Sequence, residues 1–218
     1  MKIKSYGHAA FKITTNRGVR IIIDPYESGA YNGALSYGVI DEQADIVLTS
    51  HDHADHNYTK AIGGEYTVIH QAGEYDLQGV KIKAFSSFHD AASGKERGRN
   101  LIFVVAADDL SVVHTGDIGH ELDANLQKKI GKVDILLLPV GGFFTIDAPA
   151  AAKMADTLGA RIVIPMHYKT EKCGFPIAPV EEFVKNRDNV RFLEKSEMEI
   201  SKESLPPKPE TIVLQHAL

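Results

Sequence analysis

The chain has 218 residues, 44% of them hydrophobic and 24% charged, with a formal net charge of −5. That size and balance describe a globular protein with room for one well-packed domain, and they exclude a disordered chain. The negative charge argues against nucleic acid as main partner, because phosphate binding needs a clustered excess of Lys and Arg.

The predicted elements open with three strands, Lys2–Ser5, Ala10–Thr14 and Val19–Ile23, with Asn16-Arg17-Gly18 as the turn between the last two. The turn-rich segment Glu27–Gly38 then reads as a loop over a site. Strands follow at Asp45–Thr49, Tyr66–His70, Val80–Phe85, Asn100–Ala106, Ser111–His114, Val133–Leu138, Arg161–Pro165 and Val190–Phe192. A last one, Thr211–Gln215, comes after the Pro-rich stretch Ser204–Glu210. Several are dense in Val, Ile and Leu, as strands covered on both faces are. Helical patterns fit Asn57–Ile62, Glu121–Ile130, Pro149–Leu158 and Pro179–Asn186, with Gly131 and Gly159 as C-terminal stops. Many strands with helices interspersed predict two packed sheets with helices outside, in one domain over residues 1–218.

No apolar run approaches the roughly 20 residues of a membrane span, and the first residues lack the features of a signal peptide. The single cysteine, Cys173, cannot form an internal disulfide, so the expected location is the cytoplasm. Neither GxGxxG nor GxxxxGK[ST] occurs, which removes dinucleotide and P-loop sites from consideration.

The chemistry concentrates in His51-Asp52-His53-Ala54-Asp55-His56, an HxHxDH cluster. Ligands this close in sequence lower the cost of organising a metal site, because little chain must be closed. Asp55 and His56 are adjacent and must diverge, so one metal cannot easily use all four side chains whereas two neighbouring metals can. Further candidates sit just past predicted strands: His89 in SSFHD, Asp117 in HTGD and His167 in IPMHY. The allocation that results gives one metal His51, His53 and His89, and the other Asp55, His56 and His167, with Asp117 as a bridge. Each ion then keeps an open position, the mark of a catalytic site and not a structural one.

The order of GHAAF (residues 7–11), Ile23-Asp24-Pro25, LTSHDHADH, HTGD, LLPVGG and IPMHY resembles the metallo-β-lactamase superfamily. Within it the chain is similar to the small single-domain hydrolases related to L-ascorbate-6-phosphate lactonase and to metal-dependent hydrolases of bacteria and archaea. The resemblance implies an α/β (α+β) fold, a four-layer αββα sandwich of two mixed β-sheets with the metals at one edge. It also implies ligand roles for His51, His53, Asp55, His56, His89, Asp117 and His167, and every position of the pattern is filled.

The expected function is hydrolysis of an ester, lactone or phosphoester by water activated between two divalent ions, zinc first, with Mn2+, Fe2+ or Ni2+ as alternatives. Asp55 is the catalytic candidate, placed to orient the nucleophile or take its proton. Two divalent ions outweigh Asp55, Asp117 and hydroxide, so the expected partner is a small anionic substrate. His8, Asp52, His120 and Tyr168 are candidates for contact with substrate or a ligand side chain, although a turn, a helix start or an exposed loop explains each as simply. A di-iron redox enzyme is disfavoured, because its pattern carries an acidic residue where this chain has His53. A metal-binding protein without turnover and a phosphodiesterase or nuclease-like member of the superfamily stay as alternatives.

Overall fold

The computed structural model describes residues 1–218. Strands β1 (Lys2–Gly7), β2 (Ala10–Thr14), β3 (Arg20–Ile23), β4 (Ile46–Leu48) and β5 (Thr67–Ile69) come first. They are followed by β6 (Gly73–Leu77), β7 (Val80–Phe88), β8 (Arg99–Ala107), β9 (Leu110–His114), β10 (Ile135–Pro139) and β11 (Ile162–Met166). The last three are β12 (Val190–Phe192), β13 (Glu197–Glu199) and β14 (Glu210–Val213).

Two mixed sheets result, the first in the order β13-β1-β2-β3-β4-β5 and the second β12-β14-β11-β10-β9-β8-β7-β6. In the first, β3, β4 and β5 run parallel and the others antiparallel. In the second, β9 to β11, β14 and β12 are parallel, and β6 to β9 antiparallel. The fully buried ILLLP of β10 sits at the centre of the second sheet, where apolar side chains are needed on both faces.

The inner faces meet in the largest core cluster, which joins Ile3, Phe11, Ile21 and Leu48 of the first sheet to Phe103, Val112, Leu137 and Ile164 of the second. The outer face of the second sheet is covered by helices α1 (Ala124–Ile130) and α2 (Ala148–Leu158), through Ile130, Ala151 and Met154, and by Phe183 in the short α3 (Glu181–Val184). Asp123 and Asp147 cap α1 and α2 by accepting from Leu126 N–H and Ala150 N–H. The outer face of the first sheet is covered by irregular chain, with Tyr26, Leu35, Tyr37 and Ile40 packed on Tyr6, Ile22 and Val47. No helix is long and apolar enough to cross a membrane.

The predicted helix at Asn57–Ile62 shrinks to a 3-10 turn, Thr59–Ala61, and that at Pro179–Asn186 to the four residues of α3. Two strands carry no sequence signal. β6 (GEYDL) and β13 (EME) are short, largely polar strands at sheet edges, so neither shows an apolar period. The parallel strands matter most for function, because the C-terminal ends of β9, β10 and β11 emerge at one edge, together with that of β7.

A surface clamp ties the irregular layer to β1 and β2. Glu42 accepts from Lys4 Nζ at 2.9 Å and from Lys12 Nζ at 2.6 Å. Partial burial raises its carboxyl pKa, but the hydrogen bonds from Lys12 and Lys4 outweigh this and hold it at about 2. A depressed folded-state pKa stabilises the fold above the ordinary Glu value of about 4.3, and that share is lost as pH falls through the folded value. Glu42→Gln should therefore destabilise the protein at neutral pH by at most about 1 kcal/mol, since such partly solvated pairs are screened. The gap to the parent should close between about pH 4 and pH 2. Urea unfolding of both proteins across that range measures it, and a gap independent of pH would remove the ionic explanation.

Candidate metal centre

The site begins at a buried carboxylate. Asp24 follows the all-apolar end of β3 with φ 49, and is fully buried. Its oxygens accept from Ser50 N–H (2.7 Å) and Ser50 Oγ–H (2.6 Å), which fixes the turn after β4 where HxHxDH starts. His56 Nδ1 lies 2.9 Å from the same carboxylate, and His51 Nδ1 lies 2.9 Å from Ser50 Oγ. Asp24 can only accept here, so the Ser50 proton goes to it and Ser50 Oγ accepts from His51. Both rings then carry their proton on Nδ1, an assignment made from the network. Their Nε2 atoms are left buried with no hydrogen-bond partner.

The other predicted residues arrive from strand ends. His89 follows β7, Asp117 follows β9 and His167 follows β11. Asn100 holds the Asp117 turn, accepting from Asp117 N–H at 3.0 Å while its amide donates to Ser87 Oγ and Thr115 O. Gly116 has φ 55, and a Cβ there would sit 2.2 Å from Asn100 Oδ1, so HTGD requires glycine before its aspartate. His167 also has a left-handed backbone, φ 51, and its N–H donates to His8 O at 2.9 Å.

All seven side chains converge. The ligand atoms of His51, His53 and His89 lie within 4.8 Å of one another, as do those of Asp55, His56 and His167 together with His8. Asp117 joins the two groups, with Oδ2 3.1 Å from His167 Nε2, 3.2 Å from His56 Nε2 and 3.4 Å from His89 Nε2. Burial pushes the His51 ring down to about 3, reinforced by the neighbouring His56. Burial raises the Asp117 carboxyl, yet His167 and His56 hold it well below the usual range. Burial would lower His56, but the carboxylates of Asp117 and Asp55 more than reverse this. Ionised carboxylates around inward-facing imidazole nitrogens that lack partners form a donor set that fits divalent cations.

The remaining candidates divide. His8 joins the cluster, with Nε2 3.0 Å from Asp55 Oδ2 and its ring 4.1 Å from that of His167. Asp52 is exposed and accepts from Asn57 Nδ2. His120 does not reach the mouth: Nε2 accepts from Phe88 N–H and Nδ1 pairs with Glu121 O, so it secures the chain after Asp117 to the end of β7. Tyr168 packs against the helix-side core, where burial pushes its hydroxyl up to about 12. Sequence reasoning missed Asp24, Ser50 and Asn100 as supports. A charged residue closing the run Ile21-Ile22-Ile23 was the one available signal, since a carboxylate there must be paired to be buried.

Comparison with known proteins agrees with this architecture. A family model described as a β-lactamase superfamily domain matches residues 2–167. A UPF0173 metal-dependent hydrolase of Thermococcus onnurineus is 32% identical across 78% of this chain and 85% of its own. A crystal structure titled as a candidate Zn-dependent hydrolase of the metallo-β-lactamase superfamily, from Thermotoga maritima, superposes with a TM-score of 0.82. It is 34% identical and covers 98% of this chain and 97% of that one. Igni18, a metallo hydrolase of Ignicoccus hospitalis, shares the fold with a TM-score of 0.63 at 23% identity, over 84% of this chain and 88% of its own. The chain therefore belongs to the metallo-β-lactamase superfamily. Within it, the chain is a metal-dependent hydrolase that groups with the UPF0173 proteins.

Asp24 provides the test of the supporting network. Asp24→Asn keeps the shape and removes the charge opposite His56 Nδ1, so divalent metal should bind about 10–100-fold more weakly in a folded protein. Titration against metal buffers measures this, with circular dichroism to confirm the fold. Unchanged affinity would reduce Asp24 to a packing role.

Proposed function

We propose that this hydrolase works with a dinuclear centre of divalent ions, zinc by donor chemistry, and cleaves an ester, lactone or phosphoester of a small anionic substrate. The observation that carries this reading is Asp117, one oxygen of which lies 3.1–3.4 Å from ring nitrogens of both ligand groups. That position supports a carboxylate shared between two ions. His51, His53 and His89 would hold the first ion, and Asp55, His56 and His167 the second. Imidazole and carboxylate donors suit zinc, and the same set accepts manganese, iron or nickel.

Bound there, the ions would acidify water toward neutrality and polarise the oxygen of the scissile group. The residues of the chain orient the reaction. Both oxygens of Asp55 are held, Oδ2 by His8 Nε2–H at 3.0 Å and Oδ1 by Tyr31 Oη–H at 2.9 Å. Burial raises the Asp55 carboxyl, but His56 and His8 keep it ionised, so Asp55 acts as an acceptor that aligns the attacking water. The cavity over the cluster, about 410 Å3, has the size of a small-molecule site. Two divalent ions would outweigh the ligand carboxylates Asp55 and Asp117 alone, a pull on carboxylate or phosphate that the buried Asp24 behind His56 reduces.

Elemental analysis of the purified protein, with a screen of nitrophenyl esters, phosphodiesters and lactones, tests the reading. His89→Ala and Asp117→Asn should each lower metal content and turnover together. Normal metal loading in both variants would overturn the ligand assignment. Full metal loading of the parent without turnover on any substrate class would favour a protein that binds metal and does not react.

A further inference from the structure

The charge of the centre changes once its surroundings are included. Asp24 is fully buried and touches His56 directly. With Asp55, Asp117 and an attacking water that has lost its proton, it balances the four positive charges of two divalent ions. The protein as a whole is acidic, at −5. Selection of an anion therefore needs another cation close to the cluster.

Arg97 is in that position. It lines the cavity over His53, Asp55, His89, Asp117 and His167, and also the neighbouring hollow of about 600 Å3 that reaches His51. Its guanidinium donates no hydrogen bond within the chain, and its one ionic neighbour is the exposed Glu96, 3.7 Å away. The loop carrying it is built and held. Asp90 accepts from four backbone N–H groups, those of Ala92, Gly94, Glu96 and Arg97, at 2.8–3.1 Å. His89 N–H donates to Gly98 O, so the base of the loop is tied to a ligand residue. Gly119 lets the chain after Asp117 press on the same place, since a Cβ there would lie 2.5 Å from the His89 carbonyl. The backbone that carries Arg97 is fixed in this way, so only the side chain's own freedom is lost when the guanidinium, which lines the cavity, engages a ligand.

Beside Arg97 runs a chain of aromatic rings. The guanidinium lies 5.8 Å from the Phe144 ring centre, Phe144 is 5.5 Å from Phe175, and Phe175 is 5.3 Å from Tyr31. Phe143 extends the row, 4.7 Å from Phe144. Tyr31 (φ 54) and Phe143 (φ 62) both have a left-handed backbone that bulky residues rarely adopt, and both are exposed, at 46% and 64%. Strained backbone and exposed aromatic rings concentrate at binding sites, and Tyr31 lines the cavity over the cluster.

We propose that Arg97 anchors the anionic group of the substrate and that the aromatic rim receives a flat or apolar body, so the substrate is a small organic anion with an aromatic or apolar part. This rests on the reading of the cluster as a hydrolytic centre. The test uses the metal-loaded parent, Arg97→Ala and Phe175→Ala, with 4-hydroxybenzoate and phenol as an anionic and a neutral ligand of like shape. Calorimetry should show Arg97→Ala weakening 4-hydroxybenzoate roughly 10- to 100-fold with phenol and metal content unchanged. Phe175→Ala should weaken both ligands alike. The same split should appear in kcat/KM for 4-acetoxybenzoate against phenyl acetate. A parent that does not prefer the anion, or an Arg97→Ala that weakens both ligands equally or neither, overturns the role of Arg97. Unchanged binding in Phe175→Ala overturns that of the rim. Arg97-dependent binding without cleavage of either ester upholds Arg97 and counts against ester hydrolysis by the cluster.

Discussion

Imidazole and carboxylate groups without partners are expensive inside a protein, and this fold concentrates them at one point. The Nε2 atoms of His51 and His56 and the Oδ1 atom of Asp117 are buried and unpaired within the chain. Each such atom costs about 1–3 kcal/mol unless something compensates. Compensation on the outer side of the cluster is already built in, as Asp24 and Ser50 take the Nδ1 protons of His56 and His51. The inner side faces the cluster, a donor set that fits a divalent cation, and in a metal-dependent hydrolase a cation bound to such a set couples stability to chemistry.

Such a cluster needs a scaffold that does not relax around it. The two sheets press Phe11, Ile21 and Leu48 against Phe103, Leu137 and Ile164, and strand ends emerge from that core at one edge. Parallel pairing of β9, β10 and β11 sends Asp117 and His167 out on the same side. Left-handed backbone recurs at that edge, at His8, Asp24 and His167. The rings of His8 and His167 meet there with centroids 4.1 Å apart, tilted 43° to each other. Rigid strands and short strained turns place donors more accurately than flexible loops can.

Around this centre, different forces shape the rest of the mouth. The segment 27–38 buries Leu35 and Tyr37 as a lid on the first sheet and, from the same short stretch, sends Tyr31 Oη to Asp55. The loop after His89 is organised by Asp90 and carries Arg97. Arg97, Phe144 and Phe175 make no hydrogen bond to the histidines and aspartates of the cluster, so this part of the mouth can vary with the cluster unchanged, which is how one scaffold comes to serve several substrates.

The sequence by itself determined the parts whose cause is local. HxHxDH, HTGD and IPMHY pointed to the histidines and aspartates that converge, because metal chemistry restricts which residue types can serve and a short closed loop favours neighbours in the chain. Runs such as ILLLP announced buried strands, because only apolar side chains suit a strand covered on both faces. β6 and β13 stayed hidden, since edge strands with polar faces have no period to read. Asp24, Asn100, Tyr31 and Arg97 stayed hidden for another reason. Asp24 lies 26 residues from Ser50 and 32 from His56, and Asn100 lies 17 from Asp117. Nothing near an aspartate, a tyrosine or an arginine in the chain states what it will face. That was decided only when the sheets packed and brought distant strand ends to one edge.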